Sequence, residues 1–213
     1  MFAEKIFAIA HYADQVVLIV LLIMSIVSIA MIFERFMSLK KIGAESERIR
    51  ARIRMALQTN SLQDFEDIAK DPTSIEGRAA GHAMKHLKSN GEKGFEEVFN
   101  TFVLTEKPDL EKFLPVLATI SSNAPFIGLL GTVLGIMKAF NDLAQATDAG
   151  QQTVMAGIST ALVATAAGLF VAIPASMFYN YFTRKVRSVL SSVESVKELG
   201  LAYTKTITKS KDQ

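Results

Sequence analysis

The chain has 213 residues, no cysteine and no tryptophan, and its 23 Lys plus Arg nearly balance 21 Asp plus Glu. The missing cysteine excludes a disulfide-stapled secreted scaffold, and a net charge of +2 spread over interleaved acids and bases gives no nucleic-acid signature. The charges are segregated: Gln15 to Phe33, Phe113 to Met137 and Ala149 to Thr183 carry none, while the remainder carries about one charge per three residues.

A bilayer core about 30 Å thick is crossed by roughly 20 apolar residues in a helix. Each charge-free run is therefore long enough to span once, which predicts an all-α membrane protein with three transmembrane helices and helical extensions outside the membrane. A transmembrane barrel would need many strands of alternating apolar and polar residues, and that alternation is absent.

Residues 1–15 form an external N-terminal segment before the first span, 16–33, which reads VVLIVLLIMSIVSIAMIF. Signal-peptide cores run about 7–15 residues and end at a small-residue cleavage site, whereas this run ends at Glu34-Arg35 and is read as a retained helix. Its Leu, Ile, Val and Met surface suits lipid. Lys and Arg near span ends stay on the cytoplasmic side. Only Lys5 precedes the first span, whereas Arg35, Lys40, Lys41, Arg48, Arg50, Arg52 and Arg54 follow it and Arg184, Lys185 and Arg187 follow the third. The N-terminus is thus placed outside and the C-terminus in the cytoplasm.

Residues 34–112 read as a cytoplasmic helical region, with a stop at Asp71-Pro72 and a turn at Ser89-Asn90-Gly91. Pro108 followed by Asp109 and Glu111 reads as a helix start, with proline in the first turn and acids at the positive end of the dipole. That places the beginning of the second helix below the membrane. His82 and His86 stand one turn apart, but with no cysteine and His11 across the membrane they are read as solvated helix positions rather than metal ligands.

The second span, 113–137, reads FLPVLATISSNAPFIGLLGTVLGIM, and a short external loop, 138–152, leads to the third, 153–183. Residues 184–213 form a cytoplasmic C-terminal helix and tail. Gly128, Gly131 and Gly135 on one span, and Gly157, Ala161, Thr165, Gly168, Ala172 and Ser176 on the other, recur at steps of three and four, each set making one flat face. Lipid provides no hydrophobic drive between helices, so close approach along such faces is a principal source of association. These two spans are expected to pack on each other or on neighbouring copies. The third charge-free run would be about 52 Å long as one helix, so part of it lies beyond the hydrocarbon.

Pro115, Pro125 and Pro174 each remove a helix hydrogen bond. Pro115 and Pro174 are read as simple kinks, and Pro125, beside Ser121, Ser122 and Asn123, as a kink or the edge of a polar cavity. A membrane threonine commonly bonds its own i−4 carbonyl, the reading preferred for Thr119 and Thr160. Thr132 and Thr165 lie along the small-residue faces, where hydroxyls would line an inter-helix space. The spans hold no Asp, Glu, His, Lys or Arg, the groups that relay protons in membrane pumps. A conducting function therefore needs oligomerisation and a titratable group from elsewhere.

The run Leu117-Ala118-Thr119-Ile120-Ser121-Ser122-Asn123-Ala124-Pro125-Phe126-Ile127-Gly128-Leu129-Leu130-Gly131-Thr132-Val133-Leu134-Gly135-Ile136-Met137, with Gly157-Ile158-Ser159-Thr160-Ala161-Leu162-Val163-Ala164-Thr165-Ala166-Ala167-Gly168-Leu169 and Ile173-Pro174-Ala175, closely resembles the ExbB/TolQ branch of the ExbB/TolQ/MotA proton-channel family. The resemblance implies a homo-pentamer around a dimer of single-span ExbD or TolR partner helices in the bacterial inner membrane, which makes the outer side the periplasm. It implies work delivered to the outer membrane through TonB or Tol-Pal, driven by an ion flow, H⁺ by resemblance. The pore-lining threonines of the family fall on Thr132 and Thr165, with Thr160, Ser121 and Asn123 as further pathway candidates. Tyr179-Asn180 resembles the polar tail motif after the proline. Many members carry Glu before the Ala-Leu pair of the third span, where this chain has Thr160. The Ser-Asn-Ala-Pro-Phe-Ile-Gly run is slightly more like ExbB than TolQ.

Two other classes compete with this reading. A solute transporter usually shows inverted repeats around broken helices, and none is visible here. A structural membrane scaffold is compatible with the small-residue faces alone. An enzyme has no support: there is no nucleophile-base pair, no cofactor motif, and Gly128-Leu-Leu-Gly131 lacks the Gly-Lys-Ser/Thr ending of a phosphate loop.

Overall fold

A computed structural model of the chain describes the backbone of residues 2–59, 63–91, 93–145 and 150–211, and the side chains of 15–56, 64–91, 93–144, 152 and 154–205. Residues 146–149 of the predicted external loop lie outside the described residues. Among the described residues every regular element is helical: α1 (Phe2–Thr59), α2 (Gln63–Ala69), α3 (Ile75–Asn90), α4 (Phe95–Leu110), α5 (Leu114–Gln145) and α6 (Gly150–Lys211). Three of them, α1, α5 and α6, are long and apolar enough to cross a membrane. The helical backbone extends past the predicted spans, through Gln145 on α5 and from Gly150 on α6.

The chain divides into two compact units, one of residues 1–34 and 113–181, the other of 35–112 and 182–213. In the first, the first part of α1 packs with α5 and α6 around a small core of Val17, Leu21, Ile120, Ala124, Ala164, Val171, Ala172 and Ala175. The first span is thus not uniformly lipid-facing. Val17 and Leu21 are buried while Leu22, Ile23 and Ile26 on other faces of the same helix are more than half exposed. Their four-residue spacing puts the buried pair on one helical face.

The second unit is packed as a soluble helical domain is. Ile49 and Ile53 of α1, Phe65 and Ile68 of α2, Ala79, Ala80 and Ala83 of α3, Phe95 and Phe99 of α4, and Val186, Val189, Val193 and Val196 of α6 are buried. Ser74 caps α3 in extended conformation (φ −92°, ψ 152°), its hydroxyl accepting from the Gly77 amide at 3.0 Å. Asp71 holds the preceding turn by accepting from the Thr73 amide at 3.0 Å and hydroxyl at 2.6 Å, and it also pairs with Arg48. These bonds, the Thr73 hydroxyl first, hold its carboxyl below the usual carboxylate range. Gly200 of α6 sits against two aromatic rings: a methyl there would stand 2.6 Å from Phe95 Cζ and 2.8 Å from Phe65 Cζ.

Two prolines differ from the sequence reading. Pro108 does not start a helix; it lies inside the last turns of α4, which closes with the Glu111 amide donating to the Lys107 carbonyl at 3.0 Å. The break comes instead at Phe113, in the left-handed region at φ 63°, and α5 begins at Leu114. Pro115 therefore sits in the first turn of α5 and produces no kink, since its missing N–H would have had no helical partner there.

Candidate functional site

The site is built where α5 meets α6 inside the first unit. A methyl on Gly128 would stand 2.7 Å from the Ala164 carbonyl oxygen and 3.1 Å from Gly168 Cα. One on Gly135 would stand 2.6 Å from Ala161 Cβ, and one on Gly157 2.6 Å from Ala139 Cβ. Position numbers rise on α5 as they fall on α6, so the two helices are antiparallel with their backbones in near contact. Gly168 faces the Ala124 carbonyl in the same way, at 2.6 Å for an added methyl. Gly131 turns instead toward α1 and α6, where a methyl would meet Val17 Cγ1 and Ala164 Cβ, each at 2.8 Å. Ala161 and Ala172 are buried in the same interface.

Thr132 and Thr165 meet in the middle of this contact, hydroxyl to hydroxyl. Thr132 Oγ1 also lies 3.1 Å from the Ala161 carbonyl on the opposite helix and 3.3 Å from its own i−4 carbonyl, Gly128. Thr165 Oγ1 reaches across to the same Gly128 carbonyl at 3.3 Å. Close approach permitted by Gly128 is what puts a backbone carbonyl of α5 within reach of a side chain of α6. Thr132 is buried and Thr165 partly so.

The other pathway candidates are not brought to this pair. Ser121 donates to the Ala118 carbonyl at 2.8 Å, and the Asn123 amide to the Thr119 carbonyl at 2.9 Å. Asn123 is exposed, in the turn before Pro125, whose missing N–H leaves the Ser121 carbonyl without its usual helical donor. Thr119 donates to the Pro115 carbonyl at 2.9 Å and Thr160 to the Ala156 carbonyl at 3.0 Å, both i−4 bonds. Thr160 lines a cavity of about 130 Å³ with Gly131, Gly135, Lys138, Asp142 and Gly157. Pro174 lies inside α6, one residue before the fully buried Ala175. The sequence reading had not placed Lys138 and Asp142 near Thr160; the available signal was that they continue the three-and-four steps of Gly131 and Gly135 along the face of α5 that meets α6. In the other unit, the His82 ring lies 5.0 Å from that of Phe102, and His86 Nε2 is 2.8 Å from the Lys93 carbonyl.

A family model, the MotA/TolQ/ExbB proton channel family, matches residues 71–195, more than half of the chain and the whole of the threonine-bearing interface. The chain belongs to this MotA/TolQ/ExbB family. Among relatives, the Tol-Pal system protein TolQ of Haemophilus influenzae is 35% identical over 190 residues, covering 84% of this chain and 83% of that protein. The biopolymer transport protein ExbB of Aquifex aeolicus is 44% identical over 100 residues, 47% of this chain and 67% of the relative. A putative ExbB-like protein of Helicobacter pylori is 53% identical over 76 residues, 36% of this chain and 51% of its own length. ExbB and TolQ relatives thus both appear, which fits the branch and leaves the two names undivided.

Proposed function

We propose that this chain is the stator subunit of an ion-driven motor in a bacterial inner membrane, coupling the proton motive force to mechanical work at the outer membrane through a TonB or Tol-Pal type system. The observation that carries the reading is the Thr132–Thr165 pair: two hydroxyls at the centre of charge-free helices, held together by glycines that let the backbones touch. Family membership and the ExbB and TolQ relatives support the same class.

In this reading the subunit assembles as a homo-pentamer around a dimer of single-span ExbD- or TolR-like helices. Large apolar side chains left exposed on α5 and α6, among them Phe126, Leu129, Phe170, Ile173 and Met177, give surface for neighbouring subunits and lipid. The N-terminus is periplasmic and the C-terminus cytoplasmic, following the Lys and Arg asymmetry. The translocated ion is H⁺, with no cofactor and no enzymatic step. A charge at the bilayer centre costs about 2.5–3.5 kcal/mol on insertion scales, so a single carboxyl group supplied by the partner helix is the economical arrangement, and the hydroxyls can receive it in its protonated form. One charge crossing 100 mV releases roughly 2.3 kcal/mol, so work at a distant membrane takes several ions per event.

The test is Thr165→Val, which keeps the shape and removes the hydroxyl. The complex with its partner should assemble and lose gradient-dependent activity. Full activity of Thr165→Val, or ion flux through proteoliposomes of this chain alone equal to that with its partner, would refute the mechanism. Copurification of a stoichiometric single-span partner distinguishes the motor from a scaffold or a solute-transport subunit.

A further inference from the structure

Within the second unit a cavity of about 590 Å³ lies between the end of α1 and the later part of α6. That volume is in the range of small-molecule sites, about 300–1,000 Å³. Arg50 and Arg54, one helical turn apart, line it from α1, and Ser192, Ser195 and Glu198 line it from α6. Ile53 and Leu199, both buried, give it apolar wall on the two sides.

The Ser192 hydroxyl is the feature that packing does not explain. The residue is 2% exposed, and its Oγ has no hydrogen-bond partner. A serine inside a helix ordinarily donates to its own i−4 carbonyl, which here is that of Ser188. Arg50 has taken that acceptor: its Nη2 donates to both the Ser188 carbonyl and the Ser188 hydroxyl. A buried hydroxyl without a partner destabilises the fold, so its retention beside a cavity points to a group that arrives from outside the chain.

The charges on the wall say what that group carries. Both bonds made by Arg50 go to neutral oxygens and leave from one nitrogen, so the guanidinium is anchored while the rest of its fork is unused. Among the described residues neither Arg50 nor Arg54 pairs with a carboxylate, and Glu198 pairs with no cation. Two guanidinium groups against one carboxylate leave the lining one positive charge in excess. That excess suits a single negative charge, and a planar carboxylate matches an arginine fork in geometry. The apolar walls suit a hydrocarbon body attached to it.

We propose that this cavity binds a small organic monocarboxylate, its anionic group held by Arg50 and Arg54, its body between Ile53 and Leu199, and one of its oxygens accepting from Ser192. The site depends on neither the translocated ion nor the partner helix.

The experiment uses the full chain in nanodiscs with 3-phenylpropionate as probe, and 3-phenylpropan-1-ol and inorganic phosphate as references, binding being followed by titration calorimetry. A hydrogen bond between charged groups is worth about tenfold in affinity and one from a neutral hydroxyl about fivefold. Arg54→Gln should therefore weaken 3-phenylpropionate about tenfold, while Arg52→Gln, at an exposed neighbour that does not line the cavity, should leave it unchanged. Ser192→Ala should weaken it about fivefold yet melt no lower than the wild type without ligand, since it removes a hydroxyl that nothing in the chain satisfies. Equal losses in the two arginine variants would overturn the site in favour of diffuse attraction. Binding of the alcohol as tight as that of the acid would reduce it to apolar partition, and equally tight phosphate would make it a general anion site; either overturns the proposal. So would no binding of the probe at millimolar concentration, or a Ser192→Ala protein that is less stable on its own. A Ser192→Ala or Arg54→Gln pentamer that falls apart would show the groove filled by a neighbouring copy and would overturn it as well. Gradient-dependent activity is not the readout, so failure here is distinguishable from failure of the motor assignment.

Discussion

Replacing Gly168 by alanine tests whether backbone contact between α5 and α6 holds the membrane unit together. The added methyl would stand 2.6 Å from the Ala124 carbonyl oxygen, 3.0 Å from Gly128 Cα and 3.3 Å from Gly128 N, all backbone atoms. A carbon–oxygen contact settles at roughly 3.3 Å or more, so the helices must part by about 0.7 Å locally, and no side-chain rotation can relieve the clash. Overpacking of this kind costs about 1–3 kcal/mol. The same separation carries the 3.1 Å contact from Thr132 Oγ1 to the Ala161 carbonyl past hydrogen-bonding distance, adding about 0.6 kcal/mol, the usual worth of an interhelical bond in a membrane protein. At roughly 2–4 °C per kcal/mol for a chain of this size, the melting temperature in detergent should fall by several degrees. Gly43→Ala is the control: nothing lies within 4 Å of a methyl there, inside α1. It should stabilise by about 0.5–1 kcal/mol through helix propensity. A Gly168→Ala protein that melts with the wild type, or a Gly43→Ala protein that falls as far, would refute the reasoning.

Gly200→Ala should destabilise the other unit by about 1–3 kcal/mol, because its methyl meets the Phe95 and Phe65 rings at 2.6–2.8 Å; thermal unfolding checks it. Asp71 titrates below its ordinary range in the folded chain, so its contribution is present above the unfolded carboxylate pKa and is lost as pH falls through the folded value; Asp71→Asn should flatten the acid limb of a stability profile. A cysteine at the exposed Gln152 should react with an impermeant thiol reagent from outside the cell and one at the exposed Ser89 should not, and the reverse pattern would overturn the orientation. Leu22→Ala, at a side chain 61% exposed, should leave assembly unchanged on native gels.

The α5–α6 contact was legible because Gly and Ala stand out against Leu, Ile and Val, so a period of three to four shows in the bare sequence. The contact made by α1 was not. Val17 and Leu21 lie in a run where every neighbour is equally apolar, and uniform hydropathy erases the 3.6-residue period that would mark a buried face. Pro108 and Pro115 were misread because proline fits a first turn and also survives in a helix where the lost bond is exposed; what separates the cases is Phe113 in a left-handed conformation, which nothing about a phenylalanine announces. In α6, Phe182, Val186, Val189, Val193 and Val196 recur at steps of three and four among charged residues, and there the buried face could be read directly.

The threonine pair shows why residue type locates a site before it explains one. Thr132 and Thr165 together hold two hydroxyl protons, and around them stand two carbonyl oxygens and each other. One proton goes to the neighbouring hydroxyl and the other to a carbonyl, whichever threonine leads, so every donor is used within the chain. The acceptor side is not filled: each hydroxyl oxygen has two lone pairs, and a single accepted bond between the two leaves further capacity. A buried pair in that state cannot donate to an incoming carboxylate without breaking a bond it already has, but it can accept from a protonated one. Under the proposed mechanism the site is accordingly matched to the neutral, protonated form of the partner's carboxyl group. Gly128 contributes to this polarity: its missing side chain lets α6 approach, so its carbonyl lies 3.3 Å from both hydroxyls and, with the Ala161 carbonyl, offers an acceptor to the proton the pair does not share.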